Sequence, residues 1–404
     1  MESERKNVVR VGSRKSELAL IQTNFVIDSL KKIYPEKEFT IVSMTTLGDR
    51  VLDISLPKIG EKSLFTKDLE EALRNNTVDF VVHSLKDLPT TLPEGLAIGA
   101  VFEREDPRDA LVLREDIKEA TLSALPAGSI IGTSSLRRTA QLRGSYPELS
   151  VQDVRGNLNT RLKKLDSGAY SALLLATAGL ERMGWEKRIT KILPCSEMMY
   201  AVGQGALAVE CRSDNAEILT LLSPFNHVET YCRVLAERSF LKTLGGGCSA
   251  PVGVSTKLKA LDSDWKLSIT GGVWSLDGKT KVTDTLEKTF TQIKKSQKHK
   301  LSPTEDNMNK KIKIDDNNDN ITHPLAELDN IIEKNNGNLN CEESSKEITC
   351  RLFCGLIENK NIPVDVIMKC EDLGKELANN LITNGALDVM KVTQDLIRNS
   401  IKSS

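Results

Sequence analysis

A cysteine at the end of a glycine run is the residue of this sequence best suited to forming a covalent bond. The segment reads Leu244-Gly245-Gly246-Gly247-Cys248-Ser249-Ala250-Pro251-Val252-Gly253. Glycine adopts positive φ and lets a large group approach the backbone, while the proline stiffens the exit. Cys248 is therefore predicted to be a nucleophile on an open loop, provided that its surroundings lower the pKa of the thiol. The alternative is that Cys248 is a small buried hydrophobic residue.

Six arginines lie near the ends of predicted strands or on the first turns beyond them. Guanidinium groups bind carboxylates bidentately, so six of them around one cleft would suit a ligand with several carboxylates. Phosphate binding is a weaker alternative, because no glycine-rich phosphate motif stands at a strand–helix junction. Taken singly, each arginine is equally compatible with a solvated surface position. The six are Arg14, Arg137, Arg138, Arg155, Arg161 and Arg182.

One carboxylate, Asp87, follows a predicted strand and stands next to a cation, Lys86. A carboxylate among arginines stays ionised, so Asp87 could pass protons and stabilise a cationic intermediate. The alternative role is that of an ordinary turn aspartate. His83, earlier in the same strand, is expected to be a core or boundary residue.

Alternating strand and helix patterns surround these residues and predict an α/β fold. The junction at Arg14, where a strand ends and a helix capped by Ser13 or Ser16 begins, is a suitable anion site. The residues 47–65 show weak periodicity and predict a surface loop or a lid. Helices are predicted at 66–74 and after 133–135, and strands at 8–11, 39–45, 78–83, 129–132, 151–154, 172–175 and 206–211.

The pattern changes after Asn226. A helix is predicted over 229–242, antiparallel strands over 252–255, 266–270 and 281–285, a strand over 349–357 and an amphipathic helix over 370–384. Between about 294 and 345 the chain is rich in Asn and Lys and has no aromatic residue. Little core can form from such a segment, so disorder or loose helix is predicted there.

Length and charge restrict the function classes. The 404 residues predict two or three domains. The 55 basic and 56 acidic residues leave a net charge of −1, which argues against a nucleic-acid surface. The N-terminal residues lack an apolar core, and no apolar run is long enough to cross a bilayer, so we expect neither a secretory signal nor a membrane span. Eight scattered cysteines favour free thiols in a cytoplasmic protein without a metal site, and we expect a monomer.

Several long motifs in order resemble the hydroxymethylbilane synthase family, also called porphobilinogen deaminase. The resemblance covers nearly all of 8–286 and resumes near 346. The matching stretches are VGSRKSELALIQ, GEKSLFTKDLE, DFVVHSLKDLPT, IIGTSSLRRTAQL, VRGNLNTRL, ATAGLERMGW, YAVGQGALAVE and LGGGCSAPVG.

The resemblance implies a fold of two periplasmic-binding-protein-like (type II) α/β domains and a smaller α+β C-terminal domain. We place domain 1 at 1–104 and 202–226, domain 2 at 105–201, and domain 3 at 227–404. The resemblance also implies a transferase of porphyrin and haem biosynthesis. Such an enzyme deaminates four porphobilinogen molecules and joins them head to tail into hydroxymethylbilane.

The resemblance further implies the cofactor and the site residues. One dipyrromethane per chain is attached to Cys248 by a thioether, and the chain grows on it. Asp87 and Lys86 match catalytic positions, and residues 48–65 match a flexible lid. The matching cofactor-binding residues are Arg14, Ser84, Lys86, Thr133, Ser134, Arg137, Arg138, Arg161 and Gln204, and the matching substrate-binding residues are Arg14, Ser16, Gln22, Ser135, Arg155 and Arg182.

Two other functions stay open on the residues alone. A non-catalytic periplasmic-binding-like protein would hold a carboxylate ligand without modifying Cys248, and a thiol transferase would form only a transient adduct there. The sequence departs from the family pattern at Gly245, where a polar or acidic residue is common, and in the insertion at about 294–345, which we predict to be dispensable.

Overall fold

The computed structural model describes residues 7–50, 65–118, 121–245, 250–262, 264–291 and 351–402. Residues 51–64 of the predicted lid (48–65), Cys248 and the predicted low-complexity insertion lie outside the described residues. The start of the predicted loop differs from the expectation, because Leu47–Arg50 form a short helix.

The described parts of the chain contain fifteen strands and ten α-helices, and most of the helices in the first two thirds lie between strands. The strands are β1 Val8–Arg14, β2 Glu38–Met44, β3 Phe80–Ser84, β4 Leu96–Val101, β5 Asp109–Leu113, β6 Ile130–Gly132, β7 Ser150–Gln152, β8 Ala172–Ala176, β9 Lys191–Ile192, β10 Leu207–Arg212, β11 Val252–Ala260, β12 Asp264–Trp274, β13 Lys281–Thr291, β14 Leu352–Phe353 and β15 Leu356–Ile357. The helices are α1 Glu17–Ile33, α2 Leu47–Arg50, α3 Lys67–Arg74, α4 Leu136–Ser145, α5 Leu158–Asp166, α6 Thr177–Arg182, α7 Ala216–Leu222, α8 Val228–Thr243, α9 Val364–Thr383 and α10 Ala386–Lys402.

The first sheet has seven strands in the order β14-β15-β4-β10-β3-β1-β2. Strand β1 runs parallel to β2 and β3, with Val11 opposite Phe80. Strand β10 runs antiparallel between β3 and β4, with Val209 opposite Val82. Because β10 follows the second sheet in the chain, two connections join the two α/β units. The predicted returning strand at 206–211 is confirmed.

The second sheet has five strands in the order β7-β6-β8-β5-β9, and the third is the antiparallel set β11-β12-β13. Helices α8 and α9 pack together beside the third sheet, where the Phe240 ring lies against Gly271. Two α/β units and a C-terminal α+β unit therefore confirm the predicted fold class. The domain boundaries stay predictions.

Local sequence explains how α1 is placed behind β1. Ser16 adopts an extended conformation, and its hydroxyl accepts a hydrogen bond from the Ala19 nitrogen, which caps the helix. Val26 and Leu30, four residues apart, are fully buried against the sheet. Burying each such side chain contributes about 1.5–3 kcal/mol. The capped turn thus fixes where Arg14 stands at the end of β1.

The structure differs from the sequence prediction at residues 349–357. Instead of one strand, β14 and β15 form a hairpin whose two turn residues, Cys354 and Gly355, have φ of 50° and 86°. Positive φ at both positions suits a two-residue hairpin turn. Leu356 pairs with Ile98, so this hairpin extends the first sheet. The sequence prediction also missed β4, β5, α7 and α10, and it began α9 six residues too late.

Candidate functional site

A short 3-10 turn, Leu85–Asp87, carries the predicted catalytic pair at the end of β3. Leu85 is buried, and its nitrogen donates to the Ala206 carbonyl at 2.9 Å. On the strand side, the Gln22 amide donates to the Ser84 hydroxyl at 3.0 Å. The turn is therefore fixed to both the returning segment and α1, and it leaves Lys86 and Asp87 partly exposed.

Helix α4 begins with three hydroxyl residues that set the direction of its arginines. Thr133 Oγ1 accepts from the Ser135 nitrogen at 3.2 Å, and Ser134 Oγ donates to the Val154 carbonyl at 2.5 Å. Ser135 caps the helix by accepting from the Arg138 nitrogen. Arg137 and Arg138 consequently occupy the first turn, and both are buried.

Asp109 is the buried carboxylate around which this part of the site is assembled. Its oxygens accept from Arg137 Nη1 at 2.7 Å, from Arg138 Nη2 at 2.7 Å and from Gln204 Nε2 at 2.8 Å. Burial alone would raise the pKa of Asp109, but the two guanidinium charges outweigh it and lower that pKa. The sequence analysis missed Asp109. An aspartate directly before the apolar run Ala110-Leu111-Val112-Leu113 was the available signal.

Arg137 and Arg138 have donors left over after these contacts. Arg137 Nη1 also donates to the Met199 carbonyl, and Arg138 Nη1 to the Leu174 carbonyl. The Nε atoms of both arginines are buried and have no hydrogen-bond partner among the described residues. An unpaired buried donor is costly, so this pair fits a ligand that supplies anionic oxygens.

The pKa values of Lys86 and Arg161 are shifted by charges of both the Asp87 turn and the arginines, so these groups belong to one cluster. Burial lowers the pKa of Lys86 to about 8, with Arg138 and Arg137 adding to the effect and Asp87 opposing it. Burial also lowers the pKa of Arg161 to about 10, aided by the charges of Arg138 and Arg155 and opposed in part by Asp87. We define the arginine cleft as Lys86, Asp87, Arg137, Arg138, Arg155 and Arg161.

Arg14 and Arg182 have contacts of their own outside this cluster. The Arg14 guanidinium lies 4.5 Å from the centre of the Phe65 ring. Arg182 Nη2 donates to the Gly205 carbonyl at 2.7 Å, and its Nε lies 2.8 Å from Glu105 Oε2. Arg182 is thus attached to both connections between the α/β units. The predicted ligand roles of Arg14, Arg182, Ser16 and Gln22 stay predictions.

The chain on either side of Cys248 is described although Cys248 is not. Helix α8 ends at Thr243, and Gly245 adopts φ of 68°, with no atom of the described residues within 4 Å of an added Cβ. Glycine adopts a positive φ more easily than other residues do, so the glycine that departs from the family pattern at this position suits the local backbone. Strand β11 begins at Val252.

Glu237 of α8 binds both connections between the α/β units. Its carboxylate accepts from Arg104 Nη1 at 2.6 Å, from the Gly203 nitrogen at 2.9 Å and from Thr256 Oγ1 at 2.6 Å. The side chains of Arg104 and Glu237 are 1% and 0% exposed. The helix that leads to the cysteine loop is therefore fixed to the region where the two units meet. Sequence analysis did not identify this network.

Among the described residues, no helix combines the length and the apolar character needed to cross a bilayer. Nor do their His, Cys, Asp and Glu side chains include a group of three placed to hold a metal ion.

Two family models match the chain. The model described as porphobilinogen deaminase, dipyromethane cofactor binding domain, matches residues 9–220, and the porphobilinogen deaminase C-terminal domain matches residues 231–301. These matches confirm the family resemblance, the enzyme class and the cofactor predicted from the motifs.

Cyanobacterial relatives named porphobilinogen deaminase are similar over most of their length. The Nostoc sp. protein is 53% identical over 284 residues, which cover 70% of this chain and 87% of the relative. The Synechococcus elongatus protein is 54% identical over 276 residues, covering 68% and 85%. Among solved structures, the periplasmic VFT2 domain of Bordetella pertussis BvgS has a TM-score of 0.34 and 15% identity, covering 55% of this chain and 88% of that one. That score is too low to carry an argument.

Proposed function

The chain belongs to the porphobilinogen deaminase family, whose members are hydroxymethylbilane synthases, and we propose that it builds hydroxymethylbilane in the arginine cleft. In this proposal, four porphobilinogen molecules lose ammonia and are joined head to tail on a dipyrromethane attached to Cys248, and water releases the product. The arginine cleft supports this proposal most directly, because it places Asp87 and Lys86 beside four arginines whose charges suit a polycarboxylate.

The residues around Asp109 fit the dipyrromethane cofactor. Arg137 and Arg138 are fixed by Asp109, yet their buried Nε donors have no hydrogen-bond partner within the described part of the chain, and each pyrrole ring of the cofactor carries carboxylates. Bound through Cys248, dipyrromethane supplies the terminal pyrrole carbon to which new substrate is joined. We assign its carboxylates to Arg137, Arg138 and Arg161, with Arg14, Ser84, Lys86, Thr133, Ser134 and Gln204 as further binding residues.

Substrate binding follows from the same charge argument. Each porphobilinogen has two carboxylates, so every added unit brings more negative charge into the cleft. The planar, always charged guanidinium suits such groups better than lysine does. We assign incoming substrate to Arg155 and Arg182, together with Arg14, Ser16, Gln22 and Ser135. The covalent tether makes successive additions effectively unimolecular.

Asp87 is proposed to handle charge and protons at the reacting carbon. When porphobilinogen loses ammonia it leaves an electron-poor, cationic carbon, which a preorganised carboxylate stabilises. Asp87 then accepts a proton as the new bond forms. Lys86, whose burial lowers its pKa to about 8, provides a cation whose charge is sensitive to pH near neutrality. Both side chains are presented by the fixed turn at the end of β3.

Intact-mass measurement of the purified protein tests the proposal. We expect a stable increment equal to two deaminated porphobilinogens, and its loss in Cys248→Ala. A carboxylate-binding protein would show no increment, and a thiol transferase only a transient one. Asp87→Asn should keep the fold and abolish nearly all turnover, while Asp116→Asn, an exposed aspartate in an ion pair with Arg114, serves as the control. Normal turnover in Asp87→Asn would remove this residue from the mechanism.

A further inference from the structure

The hairpin between β12 and β13, residues 275–280, lies against the C-terminal end of α4. Arg143 Nη1 donates to the Leu276 carbonyl at 2.9 Å. Beside this bond, two glycines bring the backbones into direct contact. A Cβ on Gly144 would lie 2.7 Å from the Gly278 carbonyl oxygen, and a Cβ on Gly278 would overlap the Gly144 nitrogen. Glycine is therefore required on both sides for this close approach.

The hairpin is held rigid by its own hydrogen bonds. The Gly278 nitrogen donates to the Ser275 carbonyl at 2.9 Å, and the Thr280 nitrogen donates to Ser275 Oγ at 2.9 Å. Asp277 accepts from Ser275 Oγ and from the Lys279 nitrogen. A displacement at Gly278 would consequently move β12 and β13 instead of being absorbed by the turn.

The last residue of β12, directly before the hairpin, is hydrogen-bonded to the segment that follows Cys248 in the chain. The Trp274 nitrogen donates to the carbonyl of Pro251 at 3.1 Å, three residues after Cys248. Strand β11, which starts at Val252, pairs with β12 along its whole length. The exit of the cysteine loop and the hairpin therefore belong to one small sheet.

Helix α4 is also fixed near its N-terminal end, where the cleft arginines lie. Met199 accepts from Arg137 Nη1 at 2.5 Å and from Gln141 Nε2 at 3.0 Å, and its nitrogen donates to Gln141 Oε1 at 2.8 Å. The next residue, Tyr200, exchanges two backbone hydrogen bonds with Val254 of β11. Helix α4 is thus joined to the cysteine-bearing unit directly at its C-terminal end and through Met199 and Tyr200 near its N-terminal end.

We propose that the 275–280 hairpin positions Pro251 and the start of β11, which follow the cysteine in the chain, relative to Arg137 and Arg138, with Gly144 and Gly278 as positioning residues. The proposal rests on the function assigned to Cys248 and these two arginines. The contact between the two glycines sets how closely the cysteine-bearing sheet approaches α4. An added methyl group at either glycine would force the two elements apart and change the reach of the tethered chain.

The test compares Gly144→Ala and Gly278→Ala with Gly184→Ala. Gly184 has φ of 68°, close to the 74° of Gly278, but its added Cβ would have no atom within 4 Å in the part of the chain that the structure describes. It therefore reports the cost of positive φ without the contact. We expect all three variants to show the dipyrromethane increment by intact mass. We expect kcat to fall by about tenfold in Gly144→Ala and Gly278→Ala, with KM changed less than about twofold, because small misplacements can cost up to about 10²-fold in rate.

A second measurement separates positioning from stability. With limiting porphobilinogen, the two contact variants should accumulate partly elongated covalent adducts in a mass ladder that differs from those of the wild type and Gly184→Ala. Arg143→Ala, which loosens the hairpin without adding a methyl group, should shift the ladder the same way and covers the case in which a glycine variant fails to fold. If Gly144→Ala and Gly278→Ala fold and show the same kcat and the same mass ladder as the wild type, the proposal is overturned. An absent mass increment in the wild type would instead refute the proposed function.

Discussion

Replacing Asp109 by Asn tests whether the arginine cleft depends on one buried carboxylate. Asp109 is 0% exposed and accepts hydrogen bonds from Arg137, Arg138 and Gln204. Asparagine has nearly the same shape but no charge, and one of its two terminal atoms is a donor. The substitution would leave two buried guanidinium groups without their counter-ion and would set a donor against a donor.

The expected loss of stability is large. Breaking a buried ion pair by removing one partner costs about 3–5 kcal/mol. At roughly 4–8 °C per kcal/mol for a domain of about 100 residues, the predicted size of the unit that carries Asp109, the melting temperature of Asp109→Asn should fall by roughly 12–40 °C. Because the pKa of Asp109 is lowered, its contribution is present above the unfolded pKa and is lost only as the pH falls through the lowered folded value. The difference from the wild type should thus stay constant between about pH 5 and 8.

Thermal unfolding followed by circular dichroism across this pH range is the assay. Asp116→Asn is the matched control, since Asp116 also pairs with an arginine, Arg114, but its side chain is 64% exposed. The control should leave the melting temperature nearly unchanged. If Asp109→Asn melts no lower than Asp116→Asn, or if the difference varies strongly with pH in this range, then the carboxylate does not hold the two arginines as argued.

Three further predictions concern other ionisable residues. Glu237→Gln should lower the free energy of unfolding by about 3–5 kcal/mol in denaturant unfolding, because buried Arg104 loses its counter-ion. An unchanged denaturant midpoint would contradict this prediction. Glu70→Gln should raise the melting temperature at pH 7. Burial raises the pKa of Glu70, so the stability that its protonated carboxyl contributes is lost as the pH rises through that pKa. The rise in melting temperature should vanish in acid, and a lower melting temperature at pH 7 would contradict this reasoning. The KM of the wild type should rise as the pH passes about 8, because Lys86 loses its charge there. Lys86→Arg should shift that rise to higher pH, because a guanidinium stays charged. Identical pH profiles of KM for the two proteins would exclude a binding role for the Lys86 charge.

Local patterns sufficed to predict the elements that present the cleft residues. The apolar run before Arg14 and the cap at Ser16 predicted a strand followed by a helix, and β1 and α1 lie there. The hydroxyl residues before Arg137 predicted the start of α4. These signals are reliable because a cap or an apolar period acts over one or two turns and depends little on the rest of the fold.

Partners that are distant in the chain could not be predicted in this way. Arg104 and Glu237 are separated by 133 residues, and nothing in either local sequence specifies the other. A single strand was predicted over 349–357, yet residues 352–357 form a hairpin on the first sheet. Pairing at an open sheet edge depends on which edge the folded chain brings within reach.

The sequence by itself determined the family and the strands and helices that present Arg14 and Arg137, because residue type and short-range spacing carry that information. Only the tertiary structure decided that Asp109 joins Arg137, Arg138 and Gln204, and that Gly144 meets Gly278. Those contacts join residues that are distant in the chain, and the effect of a buried charge or a missing Cβ depends on the atoms that surround it.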